Sequence, residues 1–172
     1  QILQVTVLDD AVVSTTVYED GLPAFTDVID TEDAKQWESR YIEYAPNGQV
    51  VLAETLHDNG RFQSAEYAED GTIISVQNQD TKDAYDWTTT GRTFDENGVV
   101  VEKETIRDDG REDITSYEDG VRTQNVVTDV EDAYDWLTIT RTYDDEGQEI
   151  SKEIVPDDEA EEVDIAAELL VI

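Results

Sequence analysis

The sequence predicts an all-β chain of tandem antiparallel hairpins, laid out as an elongated meander or a solenoid-like sheet. Three observations carry that prediction. The stretch "DAYDWTTTGRTFDENG" (83–98) returns about 49 residues later as "DAYDWLTITRTYDDEG" (132–147), and "DAKQWESRYIEYAPNG" (33–48) is a third, more divergent copy. Turn dipeptides arrive every ten to twelve residues: Asn47-Gly48, Asn59-Gly60, Asp70-Gly71, Asn97-Gly98, Asp109-Gly110 and Asp119-Gly120. Between them lie stretches of seven to nine residues rich in Thr, Val, Ile, Tyr and Trp, which is the length and composition of strands.

Taken in chain order, 1–172 is a single repeat domain. Residues 1–32 are a partial repeat, because "LDDAVVSTTVYEDGLPAFTDVIDTEDA" aligns with "RDDGREDITSYEDGVRTQNVVTDVEDA" roughly two periods further on. Residues 33–82 and 83–131 are full repeats, each with its tryptophan (Trp37, Trp87) near the start. Residues 132–172 form a degenerate repeat that keeps Trp136 and then loses its turn and its aromatic. Asn-Gly and Asp-Gly supply the positive φ of tight hairpin turns. Four strands per unit, and about a dozen in all, follow from that punctuation.

Alternation assigns the faces. In "WLTITRTY", Trp136, Thr138, Thr140 and Thr142 share one face, and Leu137, Ile139, Arg141 and Tyr143 the other. In "REDITSY" the apolar content is Ile114 and Tyr117 alone. Such strands are too polar for the inner faces of an ordinary sandwich, so a thin meander whose units lean on one another is expected, with an irregular sandwich as the alternative. The closing "DDEAEEVDIAAELLVI" departs from the pattern. Val163, Ala166, Ala167 and Leu170 are spaced as on a helix, so a short C-terminal helix, a frayed strand and a recognition tail all stay open there.

Charge narrows the function. The chain has 44 Asp and Glu against 11 Lys and Arg, a formal charge of −33. Nucleic-acid partners are excluded, since their affinity comes from cations that release counterions. Anionic membrane is disfavoured in the same way, and no apolar run is long enough for membrane insertion. Self-repulsion on this scale calls for salt or divalent ions, which points to a saline extracellular setting. Cysteine and methionine are absent, so thiol chemistry and disulfides are out.

The acidic joints "DTKDAYD" and "DVEDAYD" are the best candidates for chemistry. Asp80, Asp83 and Asp86, and again Asp129, Asp132 and Asp135, fall at i, i+3 and i+6, a spacing that one bent loop can converge on Ca²⁺. The bland alternative is an Asp that caps a turn while its neighbours are solvated. The copy at Asp30 and Asp33 has Gln36 in third place, which predicts a weaker site. His57 is the only histidine, so a catalytic triad or a zinc site has little to build on. Arg92 and Arg141 are expected to pair with turn carboxylates or stack on rings, and Lys103 and Lys152 to serve as cross-strand charge partners.

The "RTFDENG", "RTYDDEG" and "YEDG" punctuation resembles the tyrosine–aspartate (YD, or Rhs-type) repeats, and resembles more closely the acidic, tryptophan-containing repeats of bacterial secreted proteins of the RTX (type I secretion) group. The resemblance spans nearly the whole chain through short motifs. It implies a bacterial, secreted or surface-exposed β-repeat with structural, adhesive or calcium-assisted roles. The calcium-binding nonapeptides of that group are missing, so no ligand residue is carried over from them.

The expectation is therefore a non-enzymatic extracellular structural or adhesive β-repeat protein, its acidic turns screened or bound by Ca²⁺, with no catalytic residues. Its partners would be an extracellular glycan or protein, or a second copy through self-association. The alternatives are a carbohydrate-active hydrolase using an Asp/Glu pair, and an acidic module that captures a basic partner.

Overall fold

The computed structural model describes residues 2–8 and 11–157. Thirteen strands make one open antiparallel sheet in strict chain order: β1 (Ile2–Val7), β2 (Val12–Glu19), β3 (Leu22–Asp30), β4 (Trp37–Tyr44), β5 (Val50–His57), β6 (Arg61–Tyr67), β7 (Ile73–Asp80), β8 (Trp87–Phe94), β9 (Val100–Arg107), β10 (Arg111–Glu118), β11 (Val121–Asp129), β12 (Trp136–Tyr143) and β13 (Glu149–Pro156). The predicted meander is the fold. Twelve steps of roughly 4.8 Å make the sheet about 58 Å across, against about 26 Å along a strand. The alternatives raised for the C-terminal stretch fall on 158–172, outside the described residues.

Among the described strands, each packs only on its neighbours in the chain, so no second layer covers either face. The buried apolar residues are accordingly few and small: Val12, Val17, Ala45 and Ala65. Most of β5, β6, β9 and β10 is half-buried, each side chain shielded sideways by its cross-strand neighbours. This fold holds together laterally. A sandwich would need a consistently apolar inner face, which these strands lack.

The turns divide into two kinds. Asp20-Gly21 and Asp119-Gly120 have positive φ at both residues (52° and 85°, 50° and 79°), the two-residue hairpin turn that Asp-Gly favours. In the other short turns a single residue is left-handed, Ala11 between β1 and β2 and a glycine in the rest. At 45–49, for example, the Gly48 amide donates to the Ala45 carbonyl at 2.8 Å and the Asn47 side chain accepts from the Gln49 amide. Three longer joints, residues 31–36, 81–86 and 130–135, carry the chain from β3 to β4, β7 to β8 and β11 to β12.

Every recurring aromatic within a strand stands at a register shift. Bulges fall beside Trp37, Trp87 and Trp136 at the start of their strands. Others fall beside Tyr18, Tyr44, Tyr67, Phe94, Tyr117 and Tyr143 near a strand end. A bulge re-aims the side chain at that point. This corrects the alternation expected for "WLTITRTY": Leu137 is skipped in the pairing of β12 with β13, so Trp136 joins the side of Arg141 and Tyr143 rather than that of Thr138. The contacts agree. Trp136 stacks on Tyr134 at 5.1 Å, and Tyr134 lies 5.7 Å from the Arg111 guanidinium.

Candidate functional site

The acidic joints owe their shape to their first aspartate. Asp80 accepts hydrogen bonds from the backbone amides of Lys82 (3.1 Å), Ala84 (2.7 Å) and Tyr85 (2.7 Å). Asp129 repeats this with Glu131, Ala133 and Tyr134, and Asp30 with Glu32 and Lys35. Lost hydration pushes the Asp80 carboxyl upward, but the amides of Tyr85, Lys82, Ala84 and Asp83 outweigh it and hold it below the usual aspartate range. Asp129 is lowered against the same opposing desolvation by Ala133, Tyr134, Glu131 and Asp132.

The other predicted ligands are placed differently. Asp83 and Asp132 sit at positive φ (53° and 56°), where the joint reverses. Asp86 is exposed and lies 3.4 Å from Arg107. Asp135 is exposed, and its carbonyl accepts the Asp157 amide. Among the described residues, no three His, Cys, Asp or Glu side chains gather into a metal-holding group. The joint does meet a neighbouring turn, however. Asp108, between β9 and β10, is raised by desolvation and then by the charges of Asp83, Asp80, Asp86 and Asp109. Acidic turns therefore share one edge of the sheet.

The aromatic end of each joint is built from stacked rings. Tyr85 lies on Trp87 at 4.7 Å, and its hydroxyl accepts a hydrogen bond from Asn59. In the first joint Lys35 stands where Tyr85 and Tyr134 stand, and Arg40 covers Trp37 instead, 4.5 Å from the ring. His57 bridges that region, its Nδ1 near the Gln36 carbonyl and its Nε2 facing Arg61.

The register exposes a pattern that sequence reasoning missed. Residues directly opposite one another share a face. One row runs through Val76, Arg92, Lys103, Thr115, Asn125, Arg141 and Lys152. With its flanking rows it holds all nine Lys and Arg of the strands: Arg40, Arg61, Arg92, Lys103, Arg107, Arg111, Arg122, Arg141 and Lys152. The opposite face carries Asp27, Glu43, Glu54, Glu66, Glu102, Glu104, Glu112 and Glu153. One face thus holds the strand cations and most of the strand aromatics, the other most of the strand glutamates. The signal was available as alternation phased across the whole repeat, but the bulges at the aromatics hide it.

One expectation changes with that register. Lys103 and Lys152 lie opposite Arg92 and Arg141, like charges rather than charge partners, and Lys103 turns its ammonium to the Tyr117 ring at 4.9 Å. On the acidic face Glu104 is raised by desolvation, then by its hydrogen bond to Glu112 and the charges of Glu112 and Glu102.

Fold and faces together define a single-layer antiparallel β-repeat sheet with chemically distinct sides. No protein family matches the chain, and no curated protein is similar to it in sequence.

Proposed function

We propose that the protein is a non-enzymatic extracellular β-repeat that acts as a structural or adhesive surface. One observation supports this most. Among the described residues thirteen strands form one layer with neither face covered, which offers wide, two-sided display area in place of a core. The aromatic-cationic face offers rings, hydroxyls and guanidinium groups to a glycan or protein, and the acidic face keeps the sheet soluble and discourages random stacking. The test is retention of glycan-coated beads by immobilised protein, with reducing ends assayed in the same wells. Retention without turnover is expected. Release of reducing sugar, lost in a single Asp or Glu variant, would favour the hydrolase alternative.

A second reading concerns calcium, favoured by the way Asp108 faces the carboxylates of Asp83, Asp80 and Asp86. Ca²⁺ would act there as a screening ion along the turn edge, because Asp80 already spends its lone pairs on backbone amides. Titrating metal-stripped protein should give weak heats and a higher Tm than NaCl of equal ionic strength. No stabilisation beyond NaCl, even at low salt, removes this reading.

A further inference from the structure

In a chain of charge −33, three cations border one open concavity of about 510 Å³ on the aromatic face: Arg61 from β6, Arg92 from β8 and Lys103 from β9. Among the described residues none of the three forms an ion pair. The nearest carboxylates on that face are already engaged, Asp80 by backbone amides and Asp113 by the Asn125 side chain. Glu104 also borders the concavity, but it alternates to the opposite face, where it meets Glu112.

Between the cations runs a row of uncharged polar side chains, Gln63, Asn78, Thr90 and Thr105, directly opposite one another across four strands. The same row continues as Asp113, Val127, Ile139 and Ile154 in the next unit, and as Ser14, Val28, Arg40 and Thr55 in the preceding one. Only the middle of the sheet keeps every member polar and neutral. That is where the repeat is broken, and a feature that merely built the sheet would recur with the period.

Two atoms in this patch are unsatisfied. Arg61 Nε and Asn78 Oδ1 are shielded from solvent without a hydrogen-bond partner, although Arg61 Nη2 lies 3.1 Å from His57 and Asn78 Nδ2 donates to Thr90 at 3.2 Å. One is a donor and the other an acceptor. Turned towards the concavity by a side-chain rotation, they gain from a ligand that brings both kinds of partner. Hydroxyls do so, and the Phe94 ring bordering the same space offers an apolar surface for the C–H face of a sugar ring.

From this geometry we infer that the concavity over β6–β9 binds a saccharide bearing a carboxylate, such as a uronic acid unit. The carboxylate lies at Arg92 and Lys103, and the ring hydroxyls lie along the polar row. A long polyanion is repelled by the rest of the chain, but at physiological salt charges beyond about 8 Å are screened and the three local cations dominate. The inference rests on the reading of the sheet as a non-enzymatic display surface and names one ligand class for it.

Isothermal titration calorimetry with trigalacturonate, maltotriose and acetate tests it on the full chain. Trigalacturonate should bind, with maltotriose and acetate each about tenfold weaker or more. Arg92→Gln and Lys103→Gln should each weaken trigalacturonate about five- to tenfold, while Arg141→Gln, the equivalent position one unit on, should stay within about twofold. Asn78→Asp, which keeps shape and adds a repelling charge, should abolish binding and stands in should an Arg or Lys variant fail to fold. Equal affinity for maltotriose, equal binding of acetate, or an equal loss in Arg141→Gln would overturn the assignment. If trigalacturonate fails while bead retention persists, the site falls and the adhesive surface stands; reducing-end release would sink the surface reading itself.

Discussion

At the scale of single residues, the carboxylates do two opposite jobs. Asp30, Asp80 and Asp129 are structural anions, each tying down its joint by gathering backbone amides. Their folded-state pKa values are lowered, so the stability they contribute is complete above the ordinary value of 3.8 and is lost as pH falls through the folded one. Glu104 and Asp108 are raised, and their sign is reversed. Lost hydration, and after it like-charge repulsion, weakens the fold at neutral pH, and both are relieved as pH falls through the folded values, above 4.5 for Glu104 and above 3.8 for Asp108. Stability should therefore climb from pH 7 to a maximum at about pH 4–5 and drop below it. Thermal melts across pH check this. Asp80→Asn and Asp129→Asn should each lower Tm at pH 7 by roughly 3–6 °C and shrink the acid step, whereas Glu104→Gln should raise Tm at pH 7 and flatten the climb. A Glu104→Gln variant that loses stability would show the pair to be a supporting contact instead.

At the scale of elements, the repeat allows one unit to be judged against another. Gly60 and Gly110 stand at φ of 84° and 79°, and their carbonyls accept the amides of Thr81 and Val130 at the mouths of the joints. In the first unit that post is held by Ala11 at φ 60°, its carbonyl accepting from Thr31. A left-handed alanine carries a steric cost of about 1–2 kcal/mol that glycine avoids, offset in part by the greater unfolded-state entropy of glycine. Ala11→Gly should thus stabilise by up to about 1 kcal/mol, or about 2–4 °C in Tm, against the usual direction of such a change. Chemical denaturation of the two proteins decides it, and a loss of stability would show that Ala11 does not occupy the glycine post. The same comparison marks what the sequence made legible. Asn-Gly and Asp-Gly spacing located the hairpins, and the period located Trp37, Trp87 and Trp136 in equivalent places. The skipped residue beside each aromatic was not legible, because a bulge is a two-against-one pairing that depends on the partner strand. In the acidic joints, i, i+3, i+6 spacing likewise does not reveal that Asp80 turns inward to its own backbone. The Arg61, Arg92 and Lys103 patch stayed hidden because it spans four consecutive strands, and only their register shows that the three side chains share a face.

At the scale of the molecule, a sheet without a second layer has no core to unfold all at once. Each strand among those described is held by two neighbours, except β1 and β13, which have one each. β1 is exposed along its whole length, with Ile2, Leu3, Val5 and Val7 all more than half open to solvent, and β13 is exposed throughout. Such a chain behaves as a one-dimensional array in which stability is a sum over neighbouring interfaces. Opening then begins at the edges and moves inward, because freeing an edge strand breaks one interface and freeing a central strand breaks two. Native-state hydrogen exchange should show protection rising from β1 towards β6–β8 and falling again to β13, with the calorimetric enthalpy exceeding the van't Hoff value. Added NaCl should slow exchange everywhere by screening the −33 charge while leaving the gradient in place, since the gradient comes from topology and the offset from charge. Uniform protection from β1 to β13 with equal enthalpies would mean that the strands act as one cooperative body, held by something more than pairing with their neighbours.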